Sequence, residues 1–234
     1  MGTYCPDGEV RRAWKHLSSQ IDFNELRGYL ENAKRDMDGA LESAVTVPFD
    51  IFSEISSPTN AGAATVTVPL EDSLAFAVGD EVTFYDNVNQ AFSSETTTIA
   101  AITATYIILV GVWTVPPVAQ DELCKVTRYT DHIVLGPPPQ IMRRGIQMAV
   151  YYGKLGILSG PIPIHDNAVI EYDDAIQWMK RVKENKEGID DVTVPHYAYS
   201  THRDYHPVSH VGPEETWHED EDLIDAIEDD WDDG

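Results

Sequence analysis

The sequence predicts an α+β protein, and three observations carry that reading. Apolar residues recur at three- and four-residue steps over residues 23–44 and again over 141–182. Between those stretches, from residue 50 to 133, β-branched residues alternate with small polar ones. After Gly188 neither period survives, and residues 213–234 hold twelve Asp or Glu with no Lys or Arg.

The first element is a short helix over residues 7–17, with Asp7 as its cap and Val10, Ala13, Trp14 and Leu17 as a narrow apolar face. Trp14 is its anchor, and Ser18, Ser19 and Gln20 make a polar link to the next helix. There Phe23, Leu26, Leu30, Ala33, Met37, Leu41 and Ala44 lay one stripe along about six turns. Asp22 followed by Glu25 marks its start, because the aspartate accepts free N–H groups and the glutamate favours the positive helix end. Gly28 and Gly39 each cost about 1 kcal/mol relative to alanine. Gly39 fits either a close backbone approach or an ordinary solvent-side position. Val45, Thr46 and Val47 are β-branched, and Pro48 drives Val47 out of the helical region, so the chain leaves the helix extended.

Five strands are expected next, over residues 64–68, 81–85, 96–102, 106–110 and 123–128. Turn-prone runs separate them, among them Asp86-Asn87-Val88-Asn89 and Val115-Pro116-Pro117. Their spacing suits a small antiparallel barrel or sandwich. Val78-Gly79-Asp80-Glu81-Val82 reads as a tight glycine entry into a strand, and 106–110 as the central strand. Pro139 then suits the first turn of a helix with Ile141, Met142, Ile146, Ala149, Val150 and Gly153 inward, ended by Gly160-Pro161-Ile162-Pro163. Asn167 caps the last helix, whose inner face is Val169, Tyr172, Ile176, Met179 and Val182. Lys180, Arg181, Lys183 and Lys186 suit its negative end, and they also form the densest basic patch of the chain, a candidate contact for an acidic neighbour.

Residues 190–211 read as an extended arm carrying Tyr197, Tyr199, Tyr205 and four histidines. The acidic tail beyond it repels itself, yet Trp217, Leu223, Ile224, Ile227 and Trp231 give it apolar anchors. It either forms a short helix against a partner or stays solvated.

Several function classes are disfavoured. A net charge of -24 opposes direct binding to nucleic acid phosphates. Cys5 and Cys124, without CxxC spacing, suit a reducing compartment and no disulfide scaffold. With no signal-like apolar core and no run of about 18 uncharged apolar residues, a soluble protein is expected. His202, His206 and His210 are spaced by four, but Pro207 spoils the helix that would align them, and HExxH is absent, so no metal ligands are assigned. No nucleotide-loop, nucleophile-elbow or kinase signature occurs, and no catalytic or cofactor-binding residue is assigned.

The run Asp36-Met37-Asp38-Gly39-Ala40-Leu41, ending in Val47-Pro48-Phe49, resembles the helix-to-extended segment of the Mu-like family of phage head–tail connector, or neck, proteins. Residues 140–152 and 169–180 are similar to that family's second long helix and its last. Those pieces are nearly contiguous in the family, whereas about 90 residues separate the first from the second here. The resemblance implies a helical-bundle adaptor domain of residues 1–49 and 137–188, with an inserted antiparallel β-barrel or sandwich at 50–136 and an extended acidic arm at 189–234. A compact insertion costs little, about 0.6 kcal/mol per doubling of loop length. It further implies a virion protein of the neck, assembled in the host cytoplasm. Rings of about twelve copies would meet the portal and a downstream tail protein, with DNA passing through and no membrane contact. Two alternatives are a stopper or tail-completion protein of the same neck, and a β-barrel ligand-binding module with a metal-binding arm.

Overall fold

A computed structural model describes residues 2–14, 21–45, 47, 49–57, 64–158, 162–163 and 166–189. It is an α+β fold with five helices and eight antiparallel strands among these residues. The expected arm and tail, with Tyr197, Tyr199, Tyr205, Trp217, Leu223, Ile224, Ile227, Trp231 and the histidine series, lie outside the described residues.

Helix α1 (Asp7–Ala13) is shorter than the expected helix, and Leu17 lies outside the described residues. Asp7 is not its cap. Extended Pro6 occupies the cap position, and the Asp7 carboxylate is already engaged by Arg11 Nε at 2.7 Å. Trp14 is half-buried against the helical core, with the Lys154 ammonium 5.5 Å from its ring. Helix α2 (Phe23–Leu41) starts as its sequence demands, Glu25 donating its N–H to Asp22 Oδ1 at 2.8 Å. It ends at Leu41 and not at Ala44, where Ala44 and Val45 both donate N–H to the Leu41 carbonyl and tighten the last turn. Nothing lies within 4 Å of a side chain added at Gly39, which selects the solvent-side reading.

Helices α4 (Pro139–Ile157) and α5 (Asn167–Lys183) pack on α2. The first has Pro139 at its first position, as expected. For α5 the cap is Asp166, one residue earlier than expected, its side chain accepting from the Ala168 N–H. The short carboxylate reaches that N–H while Asn167 has already turned helical. One core joins Leu26, Leu30, Met37 and Leu41 of α2 to Ile141 and Met148 of α4 and Ala175, Trp178 and Met179 of α5. Trp178 is the largest fully buried side chain among the described residues, although the expected inner face of Val169, Tyr172, Ile176, Met179 and Val182 omits it; Met179 and Val182 are buried as expected, and Tyr172 and Ile176 are only partly so.

The strands are β1 (Phe52–Glu54), β2 (Thr65–Thr67), β3 (Glu81–Asp86), β4 (Ala91–Phe92), β5 (Thr97–Ile102), β6 (Tyr106–Leu109), β7 (Glu122–Arg128) and β8 (Ile133–Leu135), with the one-turn helix α3 (Leu70–Ser73) between β2 and β3. All five expected strands form, and β1, β4 and β8 are additional. The sheet runs β1-β7-β3-β5-β6-β2, with β4 on β3 and β8 on β7. The sheet is open; the chain just after β1 makes one isolated antiparallel bridge to β2, Ser57 to Thr67, where Ser56 N–H reaches the Thr67 carbonyl at 2.9 Å. The expected turn into β3 is there: Gly79 adopts φ +93°, and Asp80 accepts the Ala77 N–H.

The central strand is not residues 106–110. β6 lies one place from the edge, Tyr106 is 40% exposed, and only Ile107 and Leu109 of that strand turn inward. β3 and β7 are central instead, because both of their faces are covered. Val82, Phe84 and Leu123 enter the core of the sheet with Ile55, Val66, Ile99 and Trp113. The opposite face carries Tyr85, Cys124 and Phe52, against which Met142 of α4 packs. Gly136, at φ +77°, lets the chain pass over the Phe52 ring, where an added Cβ would come within 2.8 Å.

Candidate functional site

The start of β7 holds a buried polar cluster assembled from α1, α2, α3, β1, β7 and the turn after β3. Glu122 opens β7 and is 0% exposed. Arg27 of α2 donates from Nη1 to Glu122 Oε1 at 2.9 Å. The Asp7 N–H, at the start of α1, donates to Oε2 at 2.8 Å, and Asn87 Nδ2, after β3, donates to the same oxygen at 3.0 Å. Asn87 also accepts the Gly8 N–H at 2.8 Å through Oδ1, so this one amide grips both α1 and β7. Arg27 continues to Asp72 of α3, with Nη2 4.0 Å from Oδ2, and to Glu31 at 3.8 Å. Ser53 of β1 donates its hydroxyl to the same Asp72 oxygen at 3.0 Å.

Burial pushes the Glu122 carboxyl up to about 7, opposed by Arg27, by Asn87 and by the Asp7 N–H. Burial also raises Asp7, against the pull of Arg11 and then Arg27. The Cys5 and Cys124 thiols are free, buried and pushed well up by desolvation, with Glu122 adding to both. Neutral thiols of this kind pack as small apolar groups. The arrangement fastens: charge-assisted hydrogen bonds tie both N-terminal helices to the sheet in one geometry. No His, Cys, Asp or Glu cluster suited to a metal occurs among the described residues.

No family model, curated protein or solved structure matches the chain. Its site is therefore read from its own geometry.

Of the residues singled out as interface candidates, four are described. Lys180, Arg181, Lys183 and Lys186 cluster at the end of α5, as their sequence position requires. Arg181 pairs with Glu187 and Lys186 with Glu184, each at 2.7 Å, while Lys180 and Lys183 are exposed. The patch is thus partly neutralised by its own acids.

The buried cluster was not anticipated from the sequence, although two signals for it exist. Arg27 stands four residues after Phe23 and three before Leu30, on the very stripe that periodicity assigns to the interior. Glu122 shares its strand face with Cys124 and Val126, both buried. A charged residue at an interior position of a periodic pattern announces a buried partner; its identity comes only from the fold.

A cleft of about 350 Å³ opens between the β3–β4 hairpin and residues 115–118, with Phe84 and Phe92 in its wall. Its carboxylates serve the loops. Asp86 accepts the Val88 and Asn89 N–H groups, Glu95 the Thr114 N–H, and Asp121 the Val118 N–H. No described helix is long and apolar enough to cross a membrane.

Proposed function

We propose that this chain is a non-enzymatic structural subunit of a tailed-phage neck, a head-to-tail adaptor that joins the portal to the tail. On this reading α2, α4 and α5 are the adaptor's helical bundle, and the sheet is a barrel-like insertion. The observation that carries the proposal is the shared core of those helices. The three stretches that resemble the connector family fall on α2 with the chain after it, on α4 and on α5, and they pack together although the sheet segment separates α2 from α4. An insertion between adjacent helices produces that arrangement at modest loop-closure cost.

The subunits would form a ring of about twelve copies, in keeping with the resemblance, held by head-to-tail contacts that close on themselves. The net charge of -24 suits a channel through which DNA moves without adhering. Localisation in the virion neck is part of the same proposal.

The test is to count this chain against the major capsid protein in purified source particles and to image the neck. The expected result is about a dozen copies in one ring touching the portal. Hundreds of copies, or none in the particle, would overturn it. A second reading, a stopper or tail-completion protein, draws on the separate core of the sheet, in which Ile55, Val66, Phe84, Ile99 and Trp113 bury one another without the helices. It predicts a ring below the adaptor position and no portal contact, so the same images separate the two.

A further inference from the structure

The cleft beside the β3–β4 hairpin has apolar walls and an acidic lining. Phe92, Val115 and Val118 supply the apolar surface, and the two valines are 67% and 49% exposed. Asp86, Glu95 and Asp121 line the same cleft. Each carboxylate is held by neutral donors: Asp86 by the Val88 and Asn89 N–H groups, Glu95 by the Thr114 N–H, and Asp121 by the Val118 N–H. Such donors orient a carboxylate and leave its charge in place. None of the three is in an ion pair among the described residues, and Arg12, which donates to the Gln90 carbonyl of the same hairpin, is paired with Glu9.

The complementary surface is the end of α5. Lys180 and Lys183 are exposed, in no ion pair among the described residues, and one turn apart, so they project from one face of the helix. A lysine side chain joins an apolar stem to a charged head. Laid over Val115 and Val118, the stem takes apolar surface out of water while the ammonium reaches the carboxylates. An anion or a purely apolar group would use only one part of the cleft.

A chain of net charge -24 repels its own copies, so a contact between two of them has to match opposite signs locally. We propose that the cleft receives Lys180 and Lys183 of a second copy of this chain, so that the sheet of one subunit binds the end of α5 of the next. The two surfaces differ, which makes the contact head-to-tail: each subunit offers a cleft to one neighbour and a helix end to the other. In the adaptor reading, on which this contact rests, it is a contact that closes the ring.

The test is sedimentation of the full chain at low salt, beside two variants that leave the three carboxylates untouched. Lys180→Glu with Lys183→Glu makes the helix end acidic, and Ala91→Lys with Ser94→Lys, both at exposed positions lining the cleft, makes the cleft basic. The wild type should associate as its concentration rises and come apart in about 1 M salt, where the screening length is about 3 Å. Each variant alone should associate at least about tenfold more weakly, because its two surfaces then carry the same sign. Mixed in equal amounts the variants should associate again, since each meets an opposite surface on the other. A wild type that stays monomeric at about 1 mM, a variant that associates as the wild type does, or a mixture no stronger than its parts would overturn the contact. Should a variant not fold, zero-length crosslinking of light and heavy wild-type copies decides: a link between Lys180 or Lys183 of one copy and Glu95 of another is expected, and its absence refutes the contact. Particle images keep this contact apart from the adaptor reading. Unaltered rings in particles carrying Lys180→Glu and Lys183→Glu refute the contact and leave the adaptor standing, whereas rescue by mixing with no copies in the particle supports the contact and refutes the adaptor.

Discussion

The helical core and the helix–sheet joint hold the same chain together by different means. Between α2, α4 and α5 the contact is mainly apolar, and Tyr152 donates to Asp36 and Arg144 to Asp174 and to Gln147 around it. Between α1, α2 and the sheet the contact is ionic and fully buried, centred on Glu122 and Arg27. An apolar contact tolerates small shifts and loses stability gradually as it is trimmed. A buried ion pair accepts one geometry, contributes little net stability over an apolar substitute, and costs heavily once one partner is removed. The difference teaches that the helices supply the adhesion of this fold and the joint supplies its alignment.

Glu122→Ala breaks that comparison most sharply. It strands the Arg27 guanidinium, the Asp7 N–H and the Asn87 amide together. A loss of about 3–5 kcal/mol in unfolding free energy is expected, read by denaturant titration. Trp178→Ala in the helical core should cost a comparable amount, about 3–5 kcal/mol, through the cavity it leaves. The two are told apart by rescue. Pairing Arg27→Met with Glu122→Leu should recover part of the stability, because it removes the stranded charge and refills the space, while the Asp7 N–H and the Asn87 amide still lose their acceptor. If the double variant remains as unstable as Glu122→Ala, the joint contributes adhesion after all and the comparison fails.

The two regions also differ in how far the sequence disclosed them. Helices α2, α4 and α5 were legible because their burial is set within each segment: Leu26, Leu30, Met37 and Leu41 announce one face by spacing alone. The strands at 65–67, 81–86, 97–102, 106–109 and 122–128 were legible for the same reason, while β1, β4 and β8, of two or three residues each, offer too few positions for a period of two to register. The order of the strands was not legible. Residues 106–110 look central by hydropathy, but centrality went to β3 and β7, whose second faces meet partners far away in sequence. Arg27 lies 95 residues from Glu122, and the Asp7 N–H lies 115 residues from it. No local pattern encodes such pairings, so the candidate site was visible only as two charges at interior positions. The residues first singled out as contacts fared differently: the basic end of α5 stands where expected, with half of its charges answered by Glu184 and Glu187.

Smaller effects should separate the start of α2 from the start of α1. Asp22 caps α2 with a local hydrogen bond, so Asp22→Ala should cost about 1 kcal/mol wherever the sheet is placed. At α1 no side-chain cap exists, and the N–H groups of Asp7 and Gly8 are satisfied by Glu122 and Asn87 of the sheet region. Asn87→Ala should therefore reduce amide protection at Gly8 while leaving α2 protected, and hydrogen exchange read residue by residue checks it. Equal loss of protection in both helices would mean that they are one cooperative unit and not two separately fastened ones.

The smallest effect comes from a pair with the same chemistry as the joint and the opposite setting. Glu81 of β3 and Arg128 of β7 form a two-pronged bridge, with Arg128 Nε at 2.7 Å and Nη2 at 2.5 Å from the two carboxylate oxygens. Arg128 and then Thr96 hold the Glu81 carboxyl down to about 2, so any stability it supplies is present above the ordinary glutamate range and lost only as pH falls through the folded value. Arg128 is exposed and Glu81 half-buried at the surface, where screening and side-chain entropy cancel most of the attraction. Glu81→Gln should accordingly leave the denaturation midpoint near that of the wild type, and the small difference should vanish in about 1 M salt, where the screening length is about 3 Å. Glu122→Ala should keep its full effect in the same salt, because ions do not reach a carboxylate with no exposed surface. If salt erased both effects equally, Glu122 would be reachable by solvent ions, and the separation of an aligning joint from an adhesive core would lose its physical basis.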